Sequence, residues 1–210
     1  MMMIKTVFFD FDGVLTTDFN GTTTIARNLS EKTQGLTEEK ILACYRKHCK
    51  RLVLGGKHTD VWEDFCSCVG QNIPIDLLLE ALRRVPLNEA MFQLVQSLRT
   101  RYRIGMITDN FGERMDLLKT DLLKDFDPII VSANVHASKN DGTTKIFDLA
   151  LEAANCRADE SVFIDNQQHN LITAEKMGIK TYFHDDVKND VPALVAALRA
   201  WGVIVEDRKS

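Results

Sequence analysis

The stretch that most constrains this chain is its first apolar run, Ile4-Lys5-Thr6-Val7-Phe8-Phe9, which breaks off in Asp10-Phe11-Asp12-Gly13-Val14-Leu15. A run rich in β-branched and aromatic residues has the character of a strand buried on both faces, as in a parallel sheet covered by helices. Side chains two apart on an extended chain point the same way. Asp10 and Asp12 are therefore expected to crowd two negative charges into one small volume, which is costly unless a cation sits there. Gly13 lets the backbone turn tightly behind them. In open α/β sheets the carboxyl ends of strands are where ligands bind, although Asp and Gly are also ordinary residues of a polar turn.

The rest of the chain sets the frame around that strand. With 210 residues, 45% of them hydrophobic, it can bury a substantial core as one large domain or as a core with a modest insertion. A net charge of −4 gives no electrostatic reason to expect a nucleic-acid partner. No apolar run reaches membrane-spanning length, and Met1-Met2-Met3-Ile4-Lys5 leads straight into the strand with no room for a signal peptide. A cytoplasmic protein without a membrane partner is expected. Four of the five cysteines (Cys44, Cys49, Cys66, Cys68) cluster in one stretch and Cys156 stands apart. No second pair at zinc spacing accompanies Cys66-Ser67-Cys68, so the five are expected as reduced, partly buried thiols. The five histidines show no metal-ligand spacing either.

After Leu15 the pattern turns helical and stays so to about residue 85. Residues 21–34 open a short helix. Thr37 caps the next, which carries acids in its first turn and stops at Gly55-Gly56. Trp62, Phe65 and Val69 recur at helical spacing in a third, and Pro74 starts a fourth. From Asn88 onward helices and short apolar strands alternate. The helices are expected at 89–99, 113–126, 145–154, 170–177 and 191–201, the strands at 103–108, 128–132, 161–164 and 180–183. Residues 203–205 are apolar but too few to assign. Strands separated by helices imply parallel pairing through right-handed crossovers, hence an α/β fold with a doubly wound parallel sheet. The helical block between the first strand and the rest reads as an inserted α-helical cap. The division is residues 1–16 and 86–210 for the core and 17–85 for the cap, with linkers at Thr16-Thr17-Asp18 and at 84–88.

Each later strand ends in polar residues: Ile107-Thr108-Asp109-Asn110, Ser132-Ala133-Asn134-Val135-His136-Ala137-Ser138-Lys139, and Ile164-Asp165-Asn166. Together with Phe9-Asp10-Phe11-Asp12-Gly13-Val14-Leu15, these four segments in this order resemble the haloacid dehalogenase superfamily of aspartate-nucleophile hydrolases. The helical insertion is similar to the cap of its β-phosphoglucomutase and haloacid dehalogenase branch. The resemblance covers nearly the whole chain and implies a Rossmann-like core. It implies Asp10 as nucleophile, Asp12 as general acid and base, and Thr108 and Lys139 at the phosphoryl oxygens, with Asp109 and Asn110 beside them. Lys145 is the alternative to Lys139. It also implies a magnesium ion held by Asp10, Asp12 and the Asp165-Asn166 pair, where Asn166 departs from the acid common at that position.

The chemistry follows from residue types. A phosphate ester repels an anionic nucleophile, so its charge must be neutralised, and magnesium takes hard oxygen ligands. Dehalogenases resemble this pattern without the second aspartate, since a departing halide needs no proton. Asp12 thus favours hydrolysis of a small phosphorylated metabolite through an aspartyl-phosphate. A phosphomutase on the same core, or a weakened member that only binds a ligand or partner, are the alternatives. Arg27, Arg46, Lys47, Lys50, Arg51 and Lys57 of the helical block could contact a second anionic group, or could form a solvated basic face.

Overall fold

The computed structural model describes residues 3–119 and 122–206. Its centre is a five-stranded, wholly parallel sheet of β1 (Thr6–Phe9), β2 (Arg103–Thr108), β3 (Ile129–Val131), β4 (Ser161–Asp165) and β5 (Lys180–Phe183), in the order β3-β2-β1-β4-β5. Helices cover both faces, so the fold is the doubly wound α/β arrangement. Alternation along the strands sorts the two faces. Val7 and Phe9 pack with Ile104, Met106, Val162 and Ile164 against α5 (Glu89–Leu98) and α10 (Val191–Ala200). Phe8, Ile107 and Phe163 point the other way, onto α8 (Lys145–Ala154) and α9 (Gln168–Met177). All four residues of β1 are buried. This is why its sequence runs apolar without a polar face.

The stretch from Gly21 to Arg83 is helical: α1 (Gly21–Ser30), α2 (Glu38–Val53), α3 (Trp62–Val69) and α4 (Ile75–Arg83). These helices bury a hydrophobic cluster of their own around Ile25, Leu29, Ile41, Tyr45, Phe65, Leu78 and Leu82. From the core side Phe111, at the entrance to α6 (Gly112–Lys119), joins it, and Leu117 of α6 packs against it. The two crossing segments lie side by side, with Thr16 bridged to Leu87, the Thr17 N–H on the Pro86 carbonyl at 3.0 Å and the Asn88 N–H on the Leu15 carbonyl at 2.9 Å.

Several expectations are corrected. The helix expected over 113–126 is α6 and ends at Lys119; residues 120 and 121 lie outside the described residues. Leu123 and Phe126 reach the core from turns instead of from a helix face. The strand expected at 128–132 keeps only three residues, because Ser132 leaves the ladder for a single helical turn, α7 (Ser132–Val135), that packing brings against Asn110. Residues 203–206 form no strand, yet Val203 is buried in the core. Cys44 and Cys68 are joined in a disulfide between α2 and α3, where reduced thiols were expected. The two lie 24 residues apart and face each other only once the helices pack, which sequence spacing does not reveal. Cys49, Cys66 and Cys156 are free.

Candidate active site

Sheet order brings the polar strand ends together. β1 lies between β2 and β4 in register, Phe9 opposite both Met106 and Ile164, so Asp10, Thr108 and Asp165 emerge at neighbouring carboxyl ends. The chain leaves β1 through a tight turn in which the Thr16 N–H bonds the Phe11 carbonyl at 3.0 Å. Gly13 sits there at φ +77°, and a Cβ on it would fall 2.0 Å from Asn166 Nδ2. Only glycine meets both demands.

Lys139 is the hub. Its Nζ lies 2.8 Å from Asp10 Oδ2 and 2.6 Å from Asp165 Oδ2, with the side chain almost wholly buried against the Phe163 ring. The loop that delivers it is pinned by its own backbone N–H on the Asp109 carboxylate at 3.1 Å. Lys145, the alternative, is exposed at the start of α8. Asp165 is fully enclosed, and its oxygens accept from Lys139, the Gln167 N–H at 2.7 Å and Asn170 Nδ2 at 3.2 Å. Burial pushes the Asp10 carboxyl up to about 8, with Lys139 opposing the shift. Burial also raises Asp109 above the usual carboxylate range. For Lys139, burial would favour the neutral amine, but Asp10, Asp165 and Asp109 outweigh it and hold the charge.

A cavity of about 250 Å³ opens above these groups, lined at its floor by Asp10, Asp12, Thr108, Asp109 and Lys139. Thr108 is buried, and its hydroxyl lies 3.5 Å from Asn110 Nδ2. Asn110 is held to α7 by its N–H on Ser132 Oγ at 3.0 Å, and its side chain donates to Asp12 Oδ2 at 2.8 Å. Asp10, Asp12, Thr108, Asp109 and Lys139 thus meet in this one cavity, with Asn110, Asp165 and Asn166 behind its wall, while Lys145 and the basic residues of the helical block lie outside it.

The match to known families decides the frame. Residues 7–183 fit the family of haloacid dehalogenase-like hydrolases. The chain belongs to that family. No curated protein matches its sequence. Among solved structures, a predicted HAD-like family hydrolase from Porphyromonas gingivalis superposes with a TM-score of 0.70 at 20% identity, over 94% of this chain and 99% of that one. A HAD family enzyme from Bacteroides thetaiotaomicron, solved with magnesium and inorganic phosphate, gives 0.65 at 17% identity, over 87% and 95%. The L-2-haloacid dehalogenase PA0810 gives 0.68 at 15%, over 87% and 84%. At these identities the likeness is one of fold.

Within this haloacid dehalogenase-like hydrolase, one participant was not found by reading motifs. Arg114 of α6 is wholly buried and grips Asp12 with both ends of its guanidinium, Nη1 to Oδ2 at 2.7 Å and Nη2 to Oδ1 at 2.9 Å. Its Cζ lies 5.3 Å from the centre of the Phe11 ring. The signal was present, because Arg114 stands on the helix face shared by Phe111, Met115 and Leu118, a position that calls for an apolar residue. Gly21 of α1 closes over the pair, and a Cβ there would strike Arg114 Nη1 at 2.2 Å.

Whether a cation fits can be read from unmet acceptors. Among the described residues no cluster of three His, Cys, Asp or Glu side chains could hold a metal, so amide and backbone oxygens would have to contribute. Asn166 Oδ1 and Asn170 Oδ1 are both buried with no donor, while Asn166 Nδ2 donates to the Phe19 carbonyl at 3.1 Å. Of the Asp165-Asn166 pair, Asn166 therefore has the free acceptor. A hard, oxygen-seeking ion such as magnesium suits this donor set.

Proposed function

We propose that this hydrolase is a magnesium-dependent phosphatase that cleaves a small phosphorylated metabolite through an aspartyl-phosphate on Asp10. The observation that carries the reading is a carboxylate nucleophile candidate facing a cavity, paired with buried Lys139 in the same cavity floor and followed two residues on by a second carboxylate, Asp12. Asp10 Oδ2 is drawn to Lys139 and Oδ1 to the Phe11 N–H, 2.7 Å away, which fixes the carboxylate for in-line attack. As the Asp10–phosphorus bond forms and the ester bond breaks, Asp12, which must carry a proton at that step in place of one prong of its Arg114 contact, gives it to the departing oxygen. Asp12 then takes a proton from the water that hydrolyses the intermediate. Lys139 and Thr108 stabilise the equatorial oxygens, with Asp109 and Asn110 holding the loops that present them. Magnesium would be held by Asp10, the Asp12 carbonyl and Asn166 Oδ1 with Asp165 behind them, and when bound supplies positive charge to the phosphoryl group.

In the same reading residues 17–85 are a cap on the core formed by 1–16 and 86–210, hinged where Thr16–Asp18 runs beside residues 84–88. Its closure excludes bulk water. The site of action is read as the cytoplasm; the Cys44–Cys68 disulfide is the feature that points the other way.

The test is release of phosphate from p-nitrophenyl phosphate with magnesium and with chelator, beside release of chloride from a 2-chlorocarboxylic acid. Magnesium-dependent phosphate release is expected, falling at least ~10³-fold in Asp10→Asn because covalent catalysis ends. Chloride release without phosphate release, or a near wild-type rate in Asp10→Asn, would overturn the reading.

A further inference from the structure

From the charge and size of the cavity we infer the substrate class: phosphomonoesters whose leaving group is small, uncharged and hydroxyl-bearing, with leaving groups that carry a carboxylate or second phosphate rejected. The inference rests on the phosphatase reading and deepens it.

Size comes first. About 250 Å³ lies below the ~300–1,000 Å³ of sites that enclose drug-sized ligands. A phosphoryl group on the floor leaves enclosed space for only a few further atoms, so a longer leaving group such as a flat p-nitrophenyl ring must project out through the mouth.

Charge then narrows the class. Asp10, Asp12 and Asp109 line the cavity, and among the described residues Lys139 is its single lining lysine or arginine. Lys139 is already committed to Asp10 and Asp165. Arg114, in the wall behind, is committed to Asp12 and to Asn110 Oδ1 at 3.2 Å. Among the described residues, no lysine or arginine of the lining is left over for a second anion. The basic residues of the helical block do not supply one, since none of them lines the cavity. Arg27 is turned to Asp18, with contacts at 2.8 and 2.6 Å, and Arg51 to Asp60 at 3.6 Å. An additional carboxylate or phosphate would lose water at a mouth where no lysine or arginine of the lining is free to pair with it, and an anion desolvated without a partner loses affinity several-fold to many-fold.

The mouth shows what is accepted instead. Asn140, Gln167 and His169 form it on the core side and Asn20 and Gly21 on the side of α1. The amides and the imidazole both donate and accept hydrogen bonds, which matches hydroxyl groups and carries no demand for charge. Gly21 has no side chain there, and one would collide with Arg114 and Asp12, so the α1 side stays a flat wall. A hexose bisphosphate, which a mutase must hold in two orientations, finds neither the length nor the second cation.

The experiment compares a matched pair with the same three-carbon skeleton, glycerol 3-phosphate and 3-phosphoglycerate, in the magnesium-loaded full chain, with p-nitrophenyl phosphate as reference. We expect kcat/KM for glycerol 3-phosphate to exceed that for 3-phosphoglycerate at least about tenfold, and a hexose bisphosphate to be poorer still. Asn140→Lys, which brings a cation to the mouth, should shrink the ratio. Turnover of p-nitrophenyl phosphate with 3-phosphoglycerate equal or preferred would overturn this inference and leave the phosphatase reading standing. No phosphate from any of the compounds would overturn both.

Discussion

The floor and the roof of the cavity are built on different terms. On the floor, at the ends of β1, β2 and β4, two buried cations hold the carboxylates: Lys139 between Asp10 and Asp165, Arg114 on Asp12. The roof, from the helical block, contributes Asn20 and Gly21 and no charge at all. Its own interior is an apolar cluster separate from the two that cover the sheet. The difference teaches where precision is spent. Charges in a low-dielectric floor interact strongly and must be held by rigid strand ends, whereas a roof that shapes and excludes water needs only fit and attachment. Helix α6 serves both, since Arg114 reaches down to Asp12 while Glu113 reaches up to His58 of the block.

Removing the floor's hidden cation should break that comparison most severely. Arg114→Met leaves Asp12 buried without its partner, and losing one member of a buried ion pair costs about 3–5 kcal/mol. Arg114→Lys keeps the charge but not the two-pronged grip, and is expected to fall between. Urea denaturation of the three proteins measures this. A loss under about 1 kcal/mol in Arg114→Met would mean that the pair contributes little and the floor tolerates an unmatched carboxylate. In a double-mutant cycle with Asp12→Asn the two losses should be strongly non-additive.

Arg114 also marks the limit of what the sequence discloses. The parallel sheet was legible because five short apolar runs alternate with helical periodicity, and the strand-end groups were legible because each follows its run directly. Lys139 does not follow its run directly, and what singles it out is the family resemblance, which implies a lysine in the loop after β3. Arg114 follows no strand end. It lies 102 residues from Asp12 in sequence, and its significance depends on how α6 rolls against the turn after β1. The Cys44–Cys68 bond and the His58–Glu113 contact escaped notice likewise, being products of how helices pack on one another. The basic residues of the block were legible as a cluster, but their distance from the cavity was not.

The roof's attachment offers the next test. Tyr45 of α2, His58 and Glu113 form a chain in which the Tyr45 hydroxyl donates to His58 Nε2 and His58 Nδ1–H donates to Glu113, whose carboxylate also accepts the His58 N–H at 2.9 Å. Glu113→Ala strands the buried imidazole and should cost about 1–3 kcal/mol. Amide hydrogen exchange across residues 17–85 should quicken in that variant, with the sheet unchanged. Equal exchange in both proteins would place the attachment elsewhere, at Asn166–Phe19 or at His136, whose Nδ1 meets the Leu54 carbonyl at 2.8 Å. The pH dependence has a definite sign. Burial lowers the His58 pKa from its ordinary 6.5, with Glu113 opposing. Below that ordinary value the unfolded chain takes up a proton that the folded one resists, so stability is lost as pH falls through it. Replacing His58 by Phe should flatten that slope between about pH 7 and pH 5, where an unperturbed imidazole titrates.

The smallest effect is expected where floor and roof meet at a single side chain. Asn166 offers a buried Oδ1 with no donor on one side and gives Nδ2 to the Phe19 carbonyl of the incoming block on the other. Asn166→Asp sharpens the floor at the expense of the roof. It adds a charge beside the proposed magnesium position, worth about 1 kcal/mol at a water-like dielectric, so half-activation by magnesium should need roughly fivefold less metal. It also leaves the Phe19 carbonyl without its donor, which should quicken exchange at residues 19–21. The side chain has no room to turn away, because Gly13 abuts it closely enough that a Cβ would overlap Nδ2. A titration with magnesium, read by activity and by protection against thermal unfolding, measures the first effect, and hydrogen exchange the second. If neither moved, Asn166 would be packing against Gly13 and nothing more. Asp165, whose oxygens all have protein donors, would then have to exchange Lys139 or Asn170 for the metal.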